Sequence, residues 1–225
     1  PLMAVNHLGG TVGEEICQYL ASLRKNLVAR TKVDIATAYF NLGGFTLLAD
    51  ELEQLHHVRI LLGAEPDDTE GPRQLSEPSS DERLFAERLQ SALDSHQKLL
   101  ETGRDVLGFS YEGDARTKRL IGWLQSGRVE VRRLTKDFLH GKAWIEKSAG
   151  SVLVGSSNFT RAGLSQNLEL NLASYDSHAG EQVQGWFNDI WERAEAYDLA
   201  AIYQARFEPY SPQLVYLRML FERYA

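Results

Sequence analysis

The segment Val33–Leu62 runs strand, helix, strand, and this rhythm restricts the fold more than any other feature of the chain. Val33–Phe40 (VDIATAYF) is largely apolar on both parities, as a strand covered on two faces is. Gly43 and Gly44 break it. Phe45–Leu55 reads as a helix, and Val58–Leu62 (VRILL) as the next strand. A unit of this size predicts parallel strands with a helix packed across them. Further strands are expected at Val129–Leu134, Lys142–Glu146, Ser151–Gly155 and Leu168–Ser174, which makes the class α/β.

Helices fill the intervals. Thr11-Val12-Gly13-Glu14 has the spacing of a capping box, so a helix should follow with Ile16, Leu20, Leu23 and Leu27 on one face. Asp81–Glu101, Ala115–Gln125 and Gly180–Tyr197 carry helical periodicity, the last with Val183, Phe187, Ile190 and Trp191 inward. Thr160–Gln166 is a helical turn. Glu65–Ser80, acidic and holding Pro66, Pro72 and Pro78, reads as a loop. Lys147–Gly150 reads as the turn of a hairpin.

The chain has 225 residues and one cysteine, Cys17, which excludes an internal disulfide and fits a reducing cytoplasm. No apolar run reaches the roughly 18 residues of a membrane helix, so no membrane partner is expected. The opening PLMAVNHLGG reads as the start of a fragment. Net charge is −7, against a general nucleic-acid binder, but residues 104–161 carry 11 Lys/Arg and 6 Asp/Glu. That local excess surrounds the residues that carry chemistry, where a polyanion would need it.

Those residues lie in HGKAWIEKSAGSVLVGSSNFTRAGLSQNLE, His140 to Glu169. Histidine can act as nucleophile or acid/base near neutral pH. Lys142, two residues on, shares its strand face, and with Asn158 can bind phosphate oxygens. Each piece alone is a weak signal. A hairpin folding at Lys147–Gly150 brings Ser156 and Asn158 to His140 and Lys142. Glu169 interrupts an apolar run, and a carboxylate there needs a partner, for which His140 Nδ1 is suited. Arg161 could touch a flanking phosphate, and Arg132, Arg133 and Lys136 could line a groove. Tyr39 and Phe40 read as core, as do all four tryptophans, Trp123, Trp144, Trp186 and Trp191.

The segment resembles the phospholipase D superfamily, whose signature is His-x-Lys, four residues, Asp, six residues and Gly-Ser-x-Asn. His140-x-Lys142 and Gly155-Ser156-Ser157-Asn158 match, and a downstream glutamate such as Glu169 is usual. Two departures fall at the hairpin turn. The aspartate position is Lys147, with Glu146 a candidate substitute, and the gap to Gly155 is one residue longer. The resemblance covers about 150 residues, with Glu65–Gly127 as a helical elaboration. It implies a mixed sheet flanked by helices, one motif per chain. Residues 1–208 would form a nuclease domain of this type, and 209–225 a helix opening a following module. The tail YSPQLVYLRMLFERY resembles the segment joining such domains to a superfamily-II helicase, so a covalent fusion is expected.

The family's chemistry uses two His-Lys motifs around one phosphate, and this chain has one complete copy; His96-x-Lys98 repeats the spacing, but inside the expected helix Asp81–Glu101 and with no Gly-Ser-x-Asn step after it. The resemblance therefore implies a homodimer through the active-site face. The expected function is metal-independent cleavage of nucleic acid, DNA first, by a phosphohistidine route. His140, Lys142, Asn158 and Glu169 would be catalytic, and Ser156 and Arg161 would bind substrate. No cofactor is expected, since no HExxH, paired CxxC or two-metal carboxylate cluster is present. Two alternatives are a phospholipid-cleaving enzyme of the same superfamily and a non-catalytic DNA-binding or dimerisation module of a helicase. The absence of a Gly-x-x-x-x-Gly-Lys-Ser/Thr run excludes an ATPase for this fragment.

Overall fold

The structure, a computed structural model, describes residues 2–5, 10–26, 31–64, 78–105, 110–147, 150–208 and 212–224. In chain order the elements are β1 (Leu2–Val5), α1 (Val12–Asn26), β2 (Lys32–Thr37), α2 (Leu42–Leu52), β3 (His57–Leu62), α3 (Pro78–Asp105) and α4 (Tyr111–Leu124). Then come β4 (Val129–Arg133), β5 (Lys142–Glu146), β6 (Ser151–Gly155), α5 (Arg161–Ser165), β7 (Leu170–Ser174), α6 (Ser177–Arg193), β8 (Glu195–Ala196), α7 (Leu199–Gln204), a short 3-10 turn and α8 (Pro212–Tyr224).

Among the described residues, one mixed sheet of eight strands, in order β1-β7-β6-β5-β2-β3-β4-β8, organises the fold. The expected parallel unit is present: β2 pairs with β3 and β3 with β4 in parallel. The rest of the sheet is antiparallel, including β2 with β5 and the meander β5-β6-β7. Alternation sorts the strand residues onto two faces. Val33, Ile35, Trp144, Leu153 and Ala173 pack on one face with residues of α1, α2, α4 and α7. Ala36, Leu61, Ala143, Ile145 and Val152 pack on the other with Phe187 and Trp191 of α6.

Local chemistry explains the helix starts. The Thr11 hydroxyl accepts from Glu14 N–H at 3.1 Å, and Glu14 Oε2 accepts from Thr11 N–H at 2.9 Å, which is the capping box read from the sequence. Asn41 caps α2 through Gly44 N–H, Ser110 caps α4, and Asp176 caps α6. The two glycines expected to break the chain instead lie in the first turn of α2. A Cβ on Gly44 would stand 2.6 Å from the Phe159 carbonyl oxygen, so glycine lets α2 approach the segment after β6.

Other boundaries moved by a few residues. The first predicted strand ends at Thr37 rather than Phe40, and α3 runs from Pro78 to Asp105. The last predicted strand begins at Leu170, and α6 ends at Arg193. The Glu65–Ser80 loop lies outside the described residues except for Pro78–Ser80, which open α3. Residues 148 and 149 of the hairpin turn and 209–211 at the expected module boundary also lie outside them.

Candidate active site

The parallel strands β2, β3 and β4 end on one edge of the sheet, and the chain returns along that edge through residues 134–141 before entering β5. This return brings His140 to the strand ends. Leu139 N–H donates to the Ala64 carbonyl at 3.2 Å, anchoring the loop immediately before the histidine. His140 is exposed, whereas Lys142 is buried. The Lys142 ammonium donates to His140 Nδ1 at 3.1 Å. A neutral His140 accepting there carries its proton on Nε2.

Register places the rest. Lys142 pairs with Gly155, and Gly155 with Asn171, so three adjacent strands contribute one row on one face. Each residue of Gly155-Ser156-Ser157-Asn158 then has a distinct task. A Cβ on Gly155 would lie 2.2 Å from Asn171 Oδ1 and 2.3 Å from the Leu170 carbonyl, so the glycine makes room for Asn171. Asn171 uses that room to donate to the Ser157 hydroxyl at 2.7 Å. The Ser156 hydroxyl donates to Glu169 and accepts from Leu170 N–H at 3.2 Å.

Asn158 joins the meander to β2. Its Oδ1 accepts from Ala38 N–H at 3.2 Å and Tyr39 N–H at 3.1 Å. The Thr37 hydroxyl is also 3.2 Å from it, donates to the Tyr39 carbonyl at 2.8 Å and accepts from Phe159 N–H at 2.9 Å. With its oxygen held in this way, Asn158 presents its amide nitrogen as the group able to donate elsewhere. Asn41 Oδ1 extends the seam by accepting from Arg161 N–H at 3.1 Å, and Phe40 bridges Phe159. Arg161 itself is exposed at the start of α5.

Several expectations need correction. Glu169 was expected at His140 Nδ1; Lys142 occupies that nitrogen, and Glu169 is engaged by Ser156 and by Asn167 Nδ2 at 3.4 Å. Arg132 and Arg133 do not line a groove. Arg132 lies over the Trp191 ring and donates to the Trp191 carbonyl. Arg133 is buried, donates to the Leu93 carbonyl at 2.6 Å and lies over Tyr197; burial lowers its pKa. Trp186 is not core: 37% of it is exposed. Much of the local basic excess is held intramolecularly, as in Arg119 with Asp50 and Glu53 and Arg128 with the Glu53 and Leu55 carbonyls.

Sequence reading missed Thr37, Asn171 and Asp34. A polar residue inside an apolar strand was the available signal for each. Asp34, fully buried on β2, takes two bonds from Arg59 at 2.7 and 2.5 Å and one from Gln184 at 2.8 Å. Arg59 is itself packed against the rings of Phe187 and Trp191, at 4.9 Å from each. Lys147, at the family's aspartate position, completes this cluster. Glu146, the candidate substitute, is fully buried at the end of β5.

Among the described residues, no cluster of three His, Cys, Asp or Glu could hold a metal. The site instead offers one histidine, one buried lysine and one fixed asparagine, an anion-binding set. A family profile described as "Cardiolipin synthase, PLD-like domain" matches residues 25–191. The chain belongs to the phospholipase D-like family. By family it is a phosphodiesterase.

No curated protein sequence matches the chain significantly. Among solved structures it is similar to a polyphosphate kinase from Porphyromonas gingivalis, with 12% identity over 99% of this chain and 28% of that one, TM-score 0.51. It is similar to a phosphatidylserine synthase from Haemophilus influenzae, with 17% identity over 87% of this chain and 39% of that one, TM-score 0.50. Nuc from Salmonella typhimurium, a phospholipase D family member, aligns at 14% identity over 87% of this chain and 96% of that one, TM-score 0.48. The first two likenesses show the shared fold.

Proposed function

We propose that this phospholipase D-like chain cleaves nucleic acid, DNA first, without a metal, in a site completed by a second copy. The observation that carries the reading is the Lys142–His140 bond beside the fixed Asn158, which gives one histidine and one set of phosphate donors per chain. Two histidines are needed to attack phosphorus and to protonate the leaving oxygen, and a two-fold dimer supplies the second. The polyanionic substrate is supported by the basic segment and by exposed Lys136 and Arg161, which lie four and three residues from His140 and Asn158.

In the proposed cycle, His140 Nε2 attacks phosphorus, forming an N–P bond as the P–O bond to the leaving strand breaks. The second copy's histidine gives its Nε2 proton to the leaving oxygen. That histidine then takes a proton from water, the water oxygen attacks phosphorus, and the N–P bond breaks to release a phosphomonoester. The acid is the imidazolium, protonated on both nitrogens, and the attacking copy is the neutral tautomer with its proton on Nδ1, so in both copies the resting Lys142 contact to Nδ1 opens before reaction. Lys142 and Asn158 face the charge that grows on the phosphoryl oxygens. Ser156 positions Glu169, and Arg161 reaches a flanking phosphate.

A second reading, cleavage of a phospholipid, draws on a different observation. Val154, Leu170 and Leu172 lie exposed on the α6 face of the sheet, beyond the part that α6 covers, and Leu168 beside Glu169 is 87% exposed. A third element, fusion to a helicase, draws on α8, whose Tyr216, Leu217, Met219 and Tyr224 are exposed. Incubating the protein in EDTA with single- and double-stranded DNA and with anionic phospholipid vesicles separates the readings. DNA cleavage by the wild type and none by His140→Ala is expected. Undiminished cleavage by His140→Ala, strict dependence on added Mg2+, or hydrolysis of lipid alone would overturn it.

A further inference from the structure

We propose that Trp186 is a positioning residue for His140 and Lys142, acting from the opposite face of the sheet through Gly141. The inference rests on the phosphodiesterase reading of that motif. Lys142 and Trp144 belong to one face of β5; Gly141, Ala143 and Ile145 belong to the other, where α6 lies. At Gly141 the α6 side is filled by an indole. A Cβ on Gly141 would stand 2.7 Å from both Cη2 and Cζ2 of Trp186. The glycine between the two motif residues is therefore the space in which the tryptophan ring lies.

The ring is held in place by the helix that carries it. A Cβ on Gly180 would be 1.9 Å from the Gly150 carbonyl oxygen, so α6 touches the β5–β6 turn backbone to backbone. Farther along the helix, Phe187 and Trp191 are buried against β5 and stack at 5.6 Å. Trp186 lies between these fixed points. The ring lies against Gly141 while 37% of the residue stays exposed. The indole thus supports the short segment that carries the histidine from the loop into β5. Reacting atoms displaced by about 1 Å lose on the order of 100-fold in rate, so a backbone support here has kinetic consequences.

The test is a cycle of Gly141→Ala, Trp186→Ala and Gly141→Ala/Trp186→Ala, with Trp186→Phe as the conservative variant. Steady-state kinetics, thermal melting and side-chain 15N NMR of His140 are measured on each. Gly141→Ala should lower kcat at least about 10-fold with KM within about threefold, and shift the His140 imidazole resonances. The double variant should recover the rate of Trp186→Ala alone, and Trp186→Phe should stay within about threefold of wild type. Wild-type kcat and an unchanged imidazole spectrum in Gly141→Ala would overturn the proposal, as would a double variant no better than Gly141→Ala. Should the wild type cleave no phosphodiester, the functional reading fails, and the NMR comparison alone still decides whether Trp186 sets the histidine.

Discussion

Lys147 Nζ lies 3.1 Å from Oδ2 of the buried Asp34. The residue that departs from the family signature is thus the cation facing a carboxylate on the neighbouring strand β2. The cation at the motif's end is matched by a charge that the sheet brings beside it. Restoring the signature with Lys147→Asp would set a second carboxylate against Asp34. The variant should melt at lower temperature than the wild type and gain no activity. A rise in kcat would show that the aspartate is needed for chemistry.

Removing the other partner has a larger effect. Asp34→Ala leaves Arg59 packed against two rings with its main counter-charge gone. Loss of one member of a buried pair costs about 3–5 kcal/mol, whereas Lys147→Ala, at the more exposed end, should cost about 1 kcal/mol. Urea unfolding of the two variants measures the ratio.

Asn158→Asp separates support from chemistry. The aspartate keeps an acceptor for Ala38 and Tyr39 N–H but loses the amide donor. The variant should fold, with stability within about 1–2 kcal/mol of wild type, and lose about 100-fold or more in kcat. A fully active Asn158→Asp would reduce Asn158 to a tether.

His96 gives the fold a pH dependence. It is buried on α3, edge-on to the Tyr39 ring, with Arg133 3.4 Å from Nδ1. Burial, and secondarily the Arg133 charge, lowers its pKa from 6.5 to about 4. Because the folded value is depressed, the unfolded chain binds more protons between these limits. Stability is therefore full above pH 6.5 and falls as pH drops toward 4, by roughly 3 kcal/mol at most. Unfolding free energies at pH 7, 5.5 and 4.5 should show this slope in the wild type and a shallower one in His96→Gln.

Gly155→Ala tests the packing behind the motif. The new methyl would meet both Asn171 and the Leu170 carbonyl, and only the first can be removed by a second substitution. A loss of about 3 kcal/mol is expected, with little recovery in Gly155→Ala/Asn171→Ala. Thermal melts of both variants check it.

The parts of this fold legible in the sequence are those set by neighbours along the chain. The Thr11–Glu14 capping box, the parallel strands either side of α2 and the pairing of Lys142 with Gly155 follow from spacing alone. What escaped depends on elements far apart. Gly43 and Gly44 look like breakers until Phe159, over a hundred residues later, is seen to need the space. Arg132 and Arg133 look like groove cations until Trp191 and Leu93 supply partners. Trp186 looks like core because its period on α6 is nearly that of Phe187. The edge strands β1 and β8 are too short to stand out from their flanks. In the site, residue identities could be read, but which group binds which could not: His140 Nδ1 was assigned to Glu169 and belongs to Lys142.

The antiparallel pairing of β2 with β5 also imposes an order on synthesis. β2 leaves the ribosome early and can pair with β3 on one side, but its other edge stays open until Glu146 has been made. Until then the nascent chain carries an unpaired strand edge of the kind that recruits other chains. Asn158, emerging a dozen residues later, then binds the backbone just beyond β2. The chain cannot assemble its proposed phosphate-binding residues before β5 has met β2, so a prematurely terminated product would be sticky before it could be active.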